Sequence, residues 1–320
     1  MRNRVVWLLM ILLLIIFSFS SFAQSEYPTR EITIIVPYDV GGSTDTYIRI
    51  LANELKEIVG QEIKVLNISG GEGVPAFRRL QQEPADGYTL LACGTQDIIN
   101  SHFGRIDFTK LAPIAIANWD QSLLWAHTGE GGFESFQDLI DNAEEEPKLQ
   151  KWNGGLVFDE LVHAAVTESM GIEVNYVPYG HAPVANAALA GGFFDVGIDE
   201  LEGMLGLWDA GEVRPLVVIT GEPLPKYPDI PTIESFGYES PVWPRRWRGI
   251  AVKEGTPKEI LEYLSEAIGK SGESSEYKKF LEITVSGQKP GIFSAEEANE
   301  HLEIEFELYG RLMEELEMIE

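Results

Sequence analysis

A short β-branched run is followed by Pro37-Tyr38-Asp39-Val40-Gly41-Gly42-Ser43-Thr44-Asp45, and then by a helical pattern. Glycines between a strand and a helix let backbone approach a ligand closely. The unbonded N–H groups that open the helix can receive an anion. The same residues also suit a plain turn, with Ser43 as N-cap and Asp45 complementing the helix dipole. Local spacing weighs the two readings equally. Asp45 competes for the N–H groups an anion would use, but it could hold a bridging water or fix the loop. A second constellation is Trp243-Pro244-Arg245-Arg246-Trp247-Arg248, three arginines within four positions. It reads as the cationic wall of an anion site, or of a surface meeting a partner, with Arg246 as a binding residue. Surface arginines stacked on tryptophan and paired with excess acid are the other reading.

Other patterns carry no chemistry. Gly71-x-Gly73-x-x-Ala76 matches a dinucleotide fingerprint in form, but Pro75 interrupts it. The following strand ends Leu91-Ala92-Cys93-Gly94, without the acid that would hold a ribose, so no nucleotide cofactor is expected. His102, His127, His163, His181 and His301 make no metal-ligand pair on a helix face, and no metal is expected. No nucleophile elbow, phosphate-binding P-loop or C-x-x-C is present. Asp199 and Glu200 are adjacent on a strand and point to opposite faces, a poor acid–base pair. With no catalytic set to assemble, the chain is expected not to be an enzyme.

The elements that must position these residues alternate. Strands are expected at 31–36, 62–68 and 88–93; between them a helix carries Ile48, Leu51, Ala52, Leu55, Ile58 and Val59 and ends at Gly60, and another lies near 75–82. Further strands are expected at 114–117, 122–126, 173–177, 194–198, 214–220 and 249–252. Helices are expected at 136–143, 160–170, 182–189 and 207–210. Thr256-Pro257-Lys258-Glu259 reads as a helix start with a capping threonine and proline at the first position. Ser294 with Glu297 forms a capping box for a C-terminal helix. Its apolar stripe, Ala298, Leu302, Phe306, Tyr309, Met313 and Leu316, implies docking onto a lobe. Strand–loop–helix repeats imply an α/β fold with a largely parallel sheet and ligands outside the carboxyl ends of the strands.

Bulk properties set the compartment. Arg2 and Arg4 precede an apolar run of 13 residues, Val5 to Phe17, and Ser21-Phe22-Ala23 suits cleavage. Residues 1–23 therefore read as a secretory signal peptide, because the run falls short of the roughly 20 apolar residues of a spanning helix. Removing the two leader arginines takes the formal charge from −27 to −29. Such a surface repels nucleic acid and anionic lipid. Cys93 is the single cysteine, so no intrachain disulfide can form.

Five motifs in order resemble the substrate-binding proteins of tripartite tricarboxylate transporters. They are Tyr27-Pro28-Thr29-Arg30-Glu31-Ile32 running into the Gly41–Asp45 loop; Asp86-Gly87-Tyr88-Thr89-Leu90-Leu91; Val177-Pro178-Tyr179-Gly180 with Gly191-Gly192-x-x-Asp195; Pro228-Asp229-Ile230-Pro231-Thr232; and Trp247-x-Gly249 with Gly255-Thr256-Pro257. The resemblance implies a two-lobed periplasmic binding protein fold, type II-like, each lobe a mixed, mainly parallel sheet flanked by helices. The expected division is 24–124 with 248–320 for the first lobe and 125–247 for the second. By the same resemblance, a small organic carboxylate would be held by Tyr38, Gly41, Gly42, Ser43, Asp45, Thr95 and Gln96 on one lobe. Gly155, Tyr179 and Asp199 would face them from the other. The implied role is capture of that carboxylate in the periplasm, by a monomer, and delivery to integral membrane permease subunits. A sensor subunit of the same fold, docking to a signalling receptor, is the alternative.

One stretch departs from the family pattern. Where small hydroxyl residues and then histidine are usual, the chain reads Gly154-Gly155-Leu156-Val157-Phe158-Asp159-Glu160. That removes donors and adds negative charge beside the expected anion. Either the ligand is smaller, less charged or more apolar than citrate, or the arginines supply the missing positive charge. Asp45→Ala and Arg246→Ala are each expected to weaken binding without unfolding the protein.

Overall fold

The computed structural model describes residues 27–155, 157–219, 221–240, 243–284, 290–292 and 294–319. The expected leader at 1–23, Leu156 and the Ser43 side chain lie outside the described residues. The first sheet is built from β1 (Ile32–Val36), β2 (Ile63–Asn67), β3 (Thr89–Gly94), β4 (Leu111–Asp120), β10 (Arg246–Lys253) and β11 (Pro290–Ile292). Its order is β11-β4-β10-β3-β1-β2. β1 lies parallel to both β2 and β3, whereas β10 runs antiparallel to β3 and β4. The second sheet contains β5 (Ser122–His127), β6 (Lys151–Gly154), β7 (Asn175–Pro178), β8 (Val196–Glu200) and β9 (Val213–Val218), in the order β7-β6-β8-β5-β9. β6 is parallel to β7 and β8, and β5 is antiparallel to β8 and β9. Each lobe is thus a mixed sheet with a parallel part, flanked by helices. Gln121 alone separates β4 from β5, so the chain leaves one sheet and enters the other within a residue. It returns between Val218 and Arg246.

Alternation along the strands gives the first sheet two apolar faces. Ile32, Ile34, Val36, Ile250 and Val252 face Tyr47, Ile48, Leu51 and Leu55 of α1 (Ser43–Val59), Leu264 and Ile268 of α8 (Lys258–Gly272) and Tyr277 of α9 (Ser275–Thr284). On the opposite face, Ile35, Leu91, Cys93 and Ala251 meet α2 (Val74–Gln81), α3 (Thr95–His102) and α10 (Ala295–Glu315). The α10 stripe docks as its spacing predicts. Ala298, Leu302, Tyr309 and Met313 are buried, and Phe306 and Leu316 pack against them half-buried. Ser294 caps α10, accepting the Glu297 N–H at 3.2 Å. The remaining helices, α4 (Phe136–Glu145), α5 (Val157–Met170), α6 (Ala182–Ala190) and α7 (Leu201–Asp209), cover the second sheet.

Two helix starts differ from expectation. Gly42, not Ser43, is the N-cap of α1. Thr256 does not cap α8: its hydroxyl donates to the Lys253 carbonyl at 2.8 Å, and the helix begins at Lys258 after Pro257. The helix α3 is absent from the sequence reading because it shows no amphipathic period. Thr95, Gln96, Asp97 and Asn100 are buried along with Ile98 and Ile99.

Candidate functional site

The carboxyl ends of β1, β3, β6 and β8 and the first residues of β10 converge on one cleft, because β10 crosses back between the sheets. In the strand register Arg246 lies opposite Asp120 at the end of β4, and Arg248 lies opposite Gly94 at the end of β3. Alternation then puts Arg246 and Arg248 on one face and sends Trp247 into the core behind. Arg246 reaches across to the second lobe. It donates to the Asp159 carboxylate at 2.8 Å and lies 2.6 Å from the Glu200 carboxylate, with its guanidinium over the Phe158 ring at 4.6 Å. Arg248 is paired with Asp120, donates to the Thr44 hydroxyl at 3.3 Å and has Glu200 at 3.8 Å. All five charged groups are buried or nearly so.

Burial shapes the electrostatics. Desolvation opposes the Arg246 charge, but Glu200, Asp159 and Asp199 outweigh it and hold its pKa above the ordinary arginine value. Burial pushes Glu200 upward; Arg246 opposes this, while Asp199 and Asp159 add to it. Asp97, at the start of α3, is pushed up to about 7 by burial, against the Gly94 N–H that favours its charged form. Burial also raises the Tyr38 phenol, Asp97 contributing and Arg246 and Arg248 opposing, which places Tyr38 beside the same cluster.

The structure brings some expected site residues together and turns others elsewhere. Tyr38, Gly155 and Arg246 belong to the cleft. The Gly155 N–H donates to Asp159 at 2.8 Å. A Cβ on Gly155 would stand 2.5 Å from the Ala182 nitrogen, so only glycine fits there. Gly41 and Gly42 are exposed at the mouth of α1, and Gly41 has a φ of +85°, the left-handed region. Asp45 turns back into its own loop. It accepts from the Gly41 N–H at 2.8 Å, from Arg49 at 2.9 Å and from Asn67 at 2.9 Å. Burial works against its charge, but those three partners hold its pKa below the usual carboxylate value. Thr95 is a strut, accepting the Trp247 N–H at 2.9 Å and donating to the Arg245 carbonyl. Gln96 reaches Glu72 at 3.4 Å. Asp199 points behind β8 to Asn186 at 2.5 Å, leaving the cleft to Glu200. Tyr179 is half in solvent, its ring edge-on to Phe194. Asp120, Asp159, Glu200 and Arg248 join Arg246 in this cluster, and sequence reasoning did not select them. Arg248 stood inside the arginine cluster and Asp159 inside the divergent stretch, so a signal existed for both. Asp120 had none.

Among the described residues, no group of three or more His, Cys, Asp or Glu side chains is placed to hold a metal ion. Nor is any described helix long and apolar enough to cross a membrane.

Residues 47–318 match the family model described as tripartite tricarboxylate transporter family receptor. The chain is 27% identical over 277 residues to a UPF0065 protein from the tcbD-tcbE intergenic region of Pseudomonas sp. strain P51, covering 84% of this chain and 82% of that protein. Among solved structures, it is similar to R. palustris Rpa4515 with adipate, at 27% identity and a TM-score of 0.79, covering 91% of this chain and 98% of the other. A TctC solute binding protein from Polaromonas shares the fold at 23% identity and a TM-score of 0.71, covering 90% and 99%.

Proposed function

Because the chain belongs to the tripartite tricarboxylate transporter receptor family, we propose that it is a periplasmic solute-binding protein that captures a small organic carboxylate between its lobes and hands it to membrane permease subunits. One observation carries this reading. Loops from the carboxyl ends of the parallel strands of both sheets meet at a cleft containing two buried guanidiniums, Arg246 and Arg248. The adipate held by a structural relative of similar chain length supports the ligand class. The lobes would swing about the two passes between the sheets, at Gln121 and just before Arg246, and a ligand touching both lobes would favour the closed state by its differential affinity. No bond is made or broken in this cycle.

Native mass spectrometry of protein purified from an expression host, followed by thermal-shift screening of organic carboxylates, tests the reading. A carboxylate that travels with the protein and raises its melting temperature is the expected result. If sugars or polyamines raise the melting temperature and no carboxylate does, the ligand class is wrong.

A further inference from the structure

The groups in this cleft suited to hold an anion are already occupied by the chain's own carboxylates. At the loop that opens each of three helices, a glycine N–H is taken by an aspartate a few residues on: Gly41 by Asp45 at 2.8 Å, Gly94 by Asp97 at 2.9 Å and Gly155 by Asp159 at 2.8 Å. Both guanidiniums are taken too, Arg246 by Asp159 and Glu200, Arg248 by Asp120. Asp120, Asp159 and Glu200 thus face Arg246 and Arg248, three carboxyl groups to two bases. A dianionic ligand would add to the excess and, among the described residues of the cleft, find both guanidiniums already paired. One carboxylate can use guanidinium N–H groups left over from these pairs, but a second would have to displace Asp159 or Glu200 to gain a countercharge, and stripping a buried charge of its partner is strongly unfavourable.

A separate observation points to the complementary chemistry. Asn118 is 2% exposed and donates its amide N–H to Asp120 at 3.1 Å, which fixes the orientation of the amide and leaves its Oδ1 without a donor. Asn118 lies opposite Arg248 in the strand register, two residues from Asp120 on the same face of β4. The vacant hydrogen-bonding capacity beside the acid excess is therefore an acceptor, and an ammonium group offers three donors and a positive charge.

We propose that Asp159 and Glu200 make this cleft selective for a carboxylate that also carries an ammonium group, a ligand of no net charge, over a dicarboxylate of the same length. The ligand carboxylate uses N–H groups left over on Arg246 and Arg248, each of which has five. The ammonium offsets the surplus acid near Glu200, Asp120 and Asn118. This proposal rests on the carboxylate reading above and names the subclass.

Isothermal titration of protein freed of carried-over ligand by unfolding and refolding is the test. Length-matched pairs from three to six carbons serve as probes, with succinate against 4-aminobutyrate and adipate against 6-aminohexanoate among them, together with α-amino acids. The expected result is that the tightest ammonium-bearing member binds at least about tenfold better than any dicarboxylate, and that Asp159→Asn and Glu200→Gln each erode that preference by about tenfold. Asp159→Asn retains an acceptor for Gly155, and circular dichroism checks that each variant is folded. The proposal is overturned if dicarboxylates bind the unmodified protein as tightly or tighter, or if both folded variants keep its preference. Dicarboxylate preference leaves the carboxylate reading standing. Binding of neither class, with other solutes raising the melting temperature, removes both.

Discussion

Asp97→Asn should stabilise the protein at pH 8, which is unusual for removal of a buried charged residue. Burial raises the Asp97 carboxyl from 3.8 to about 7 in the folded chain. The folded state therefore holds the proton more tightly than the unfolded state. Between those two values folding takes up protons, so stability falls as pH rises. Below 3.8 both states are protonated and the site costs nothing. Above 7 the full cost is present, about 4 kcal/mol at pH 8 against about 1.5 kcal/mol at pH 5. Asparagine retains an acceptor for the Gly94 N–H, which Asp97 takes at 2.9 Å, and carries no charge to desolvate. Urea unfolding of the two proteins at pH 5 and pH 8 measures the difference directly, since other titrating groups are common to both. The variant's advantage should be larger at pH 8 by about 2.5 kcal/mol. An advantage independent of pH, or a loss at pH 8, would refute the assignment of a raised carboxyl to this position.

Three further outcomes are expected. Arg246→Met takes a guanidinium away from buried Asp159 and Glu200 and should cost about 3–5 kcal/mol in urea unfolding, with part recovered on adding Glu200→Gln. Gly155→Ala forces a Cβ to within 2.5 Å of backbone at Ala182, so separation of the β6–α5 and β7–α6 loops should lower stability by about 1–3 kcal/mol and weaken ligand binding measured by titration. Asp45→Ala releases Gly41, Arg49 and Asn67 together and should cost about 1–3 kcal/mol; its effect on affinity should be smaller than that of Asp159→Asn, because Asp45 braces the loop and does not line the Arg246 cluster.

The fold was legible in the sequence because its signals are local. Short apolar runs followed by glycine or proline marked β1, β2 and β3, and the stripe from Ala298 to Leu316 marked α10. The site was legible only in outline. Family pattern pointed to Tyr38 and Gly155 and the local arginine cluster to Arg246, and the structure brings these three together, since loop positions follow from the order of strands and helices. Family pattern also pointed to Asp199, whose side chain turns to Asn186, while the adjacent Glu200 meets Arg246, because which of two adjacent residues faces inward depends on the register of β8 against β5. Asp120 could not be found at all. Its partnership with Arg248 depends on β4 and β10 lying side by side although more than a hundred residues separate them in the chain.

The internal carboxylates also bear on how much a ligand must contribute. In the lobe motion proposed above, Arg248 and Asp120 sit together on β10 and β4, so their pairing survives opening. Arg246 holds Asp159 and Glu200 across the cleft, so its pairings are made only when the lobes meet. Closure without ligand therefore trades hydrated charges for buried pairs, an exchange that comes out near balance because desolvation offsets most of the Coulombic gain. Near balance, a ligand that adds a few net contacts across the lobes is enough to shift the population, about 1.4 kcal/mol for each tenfold change. A ligand that brings its own countercharge achieves this without disturbing the pairs, whereas the second carboxylate of a dianion gains a countercharge only by breaking them. Asp159 thus bears on both which ligand is taken and how readily the lobes close on it, and Asp159→Asn should alter both together.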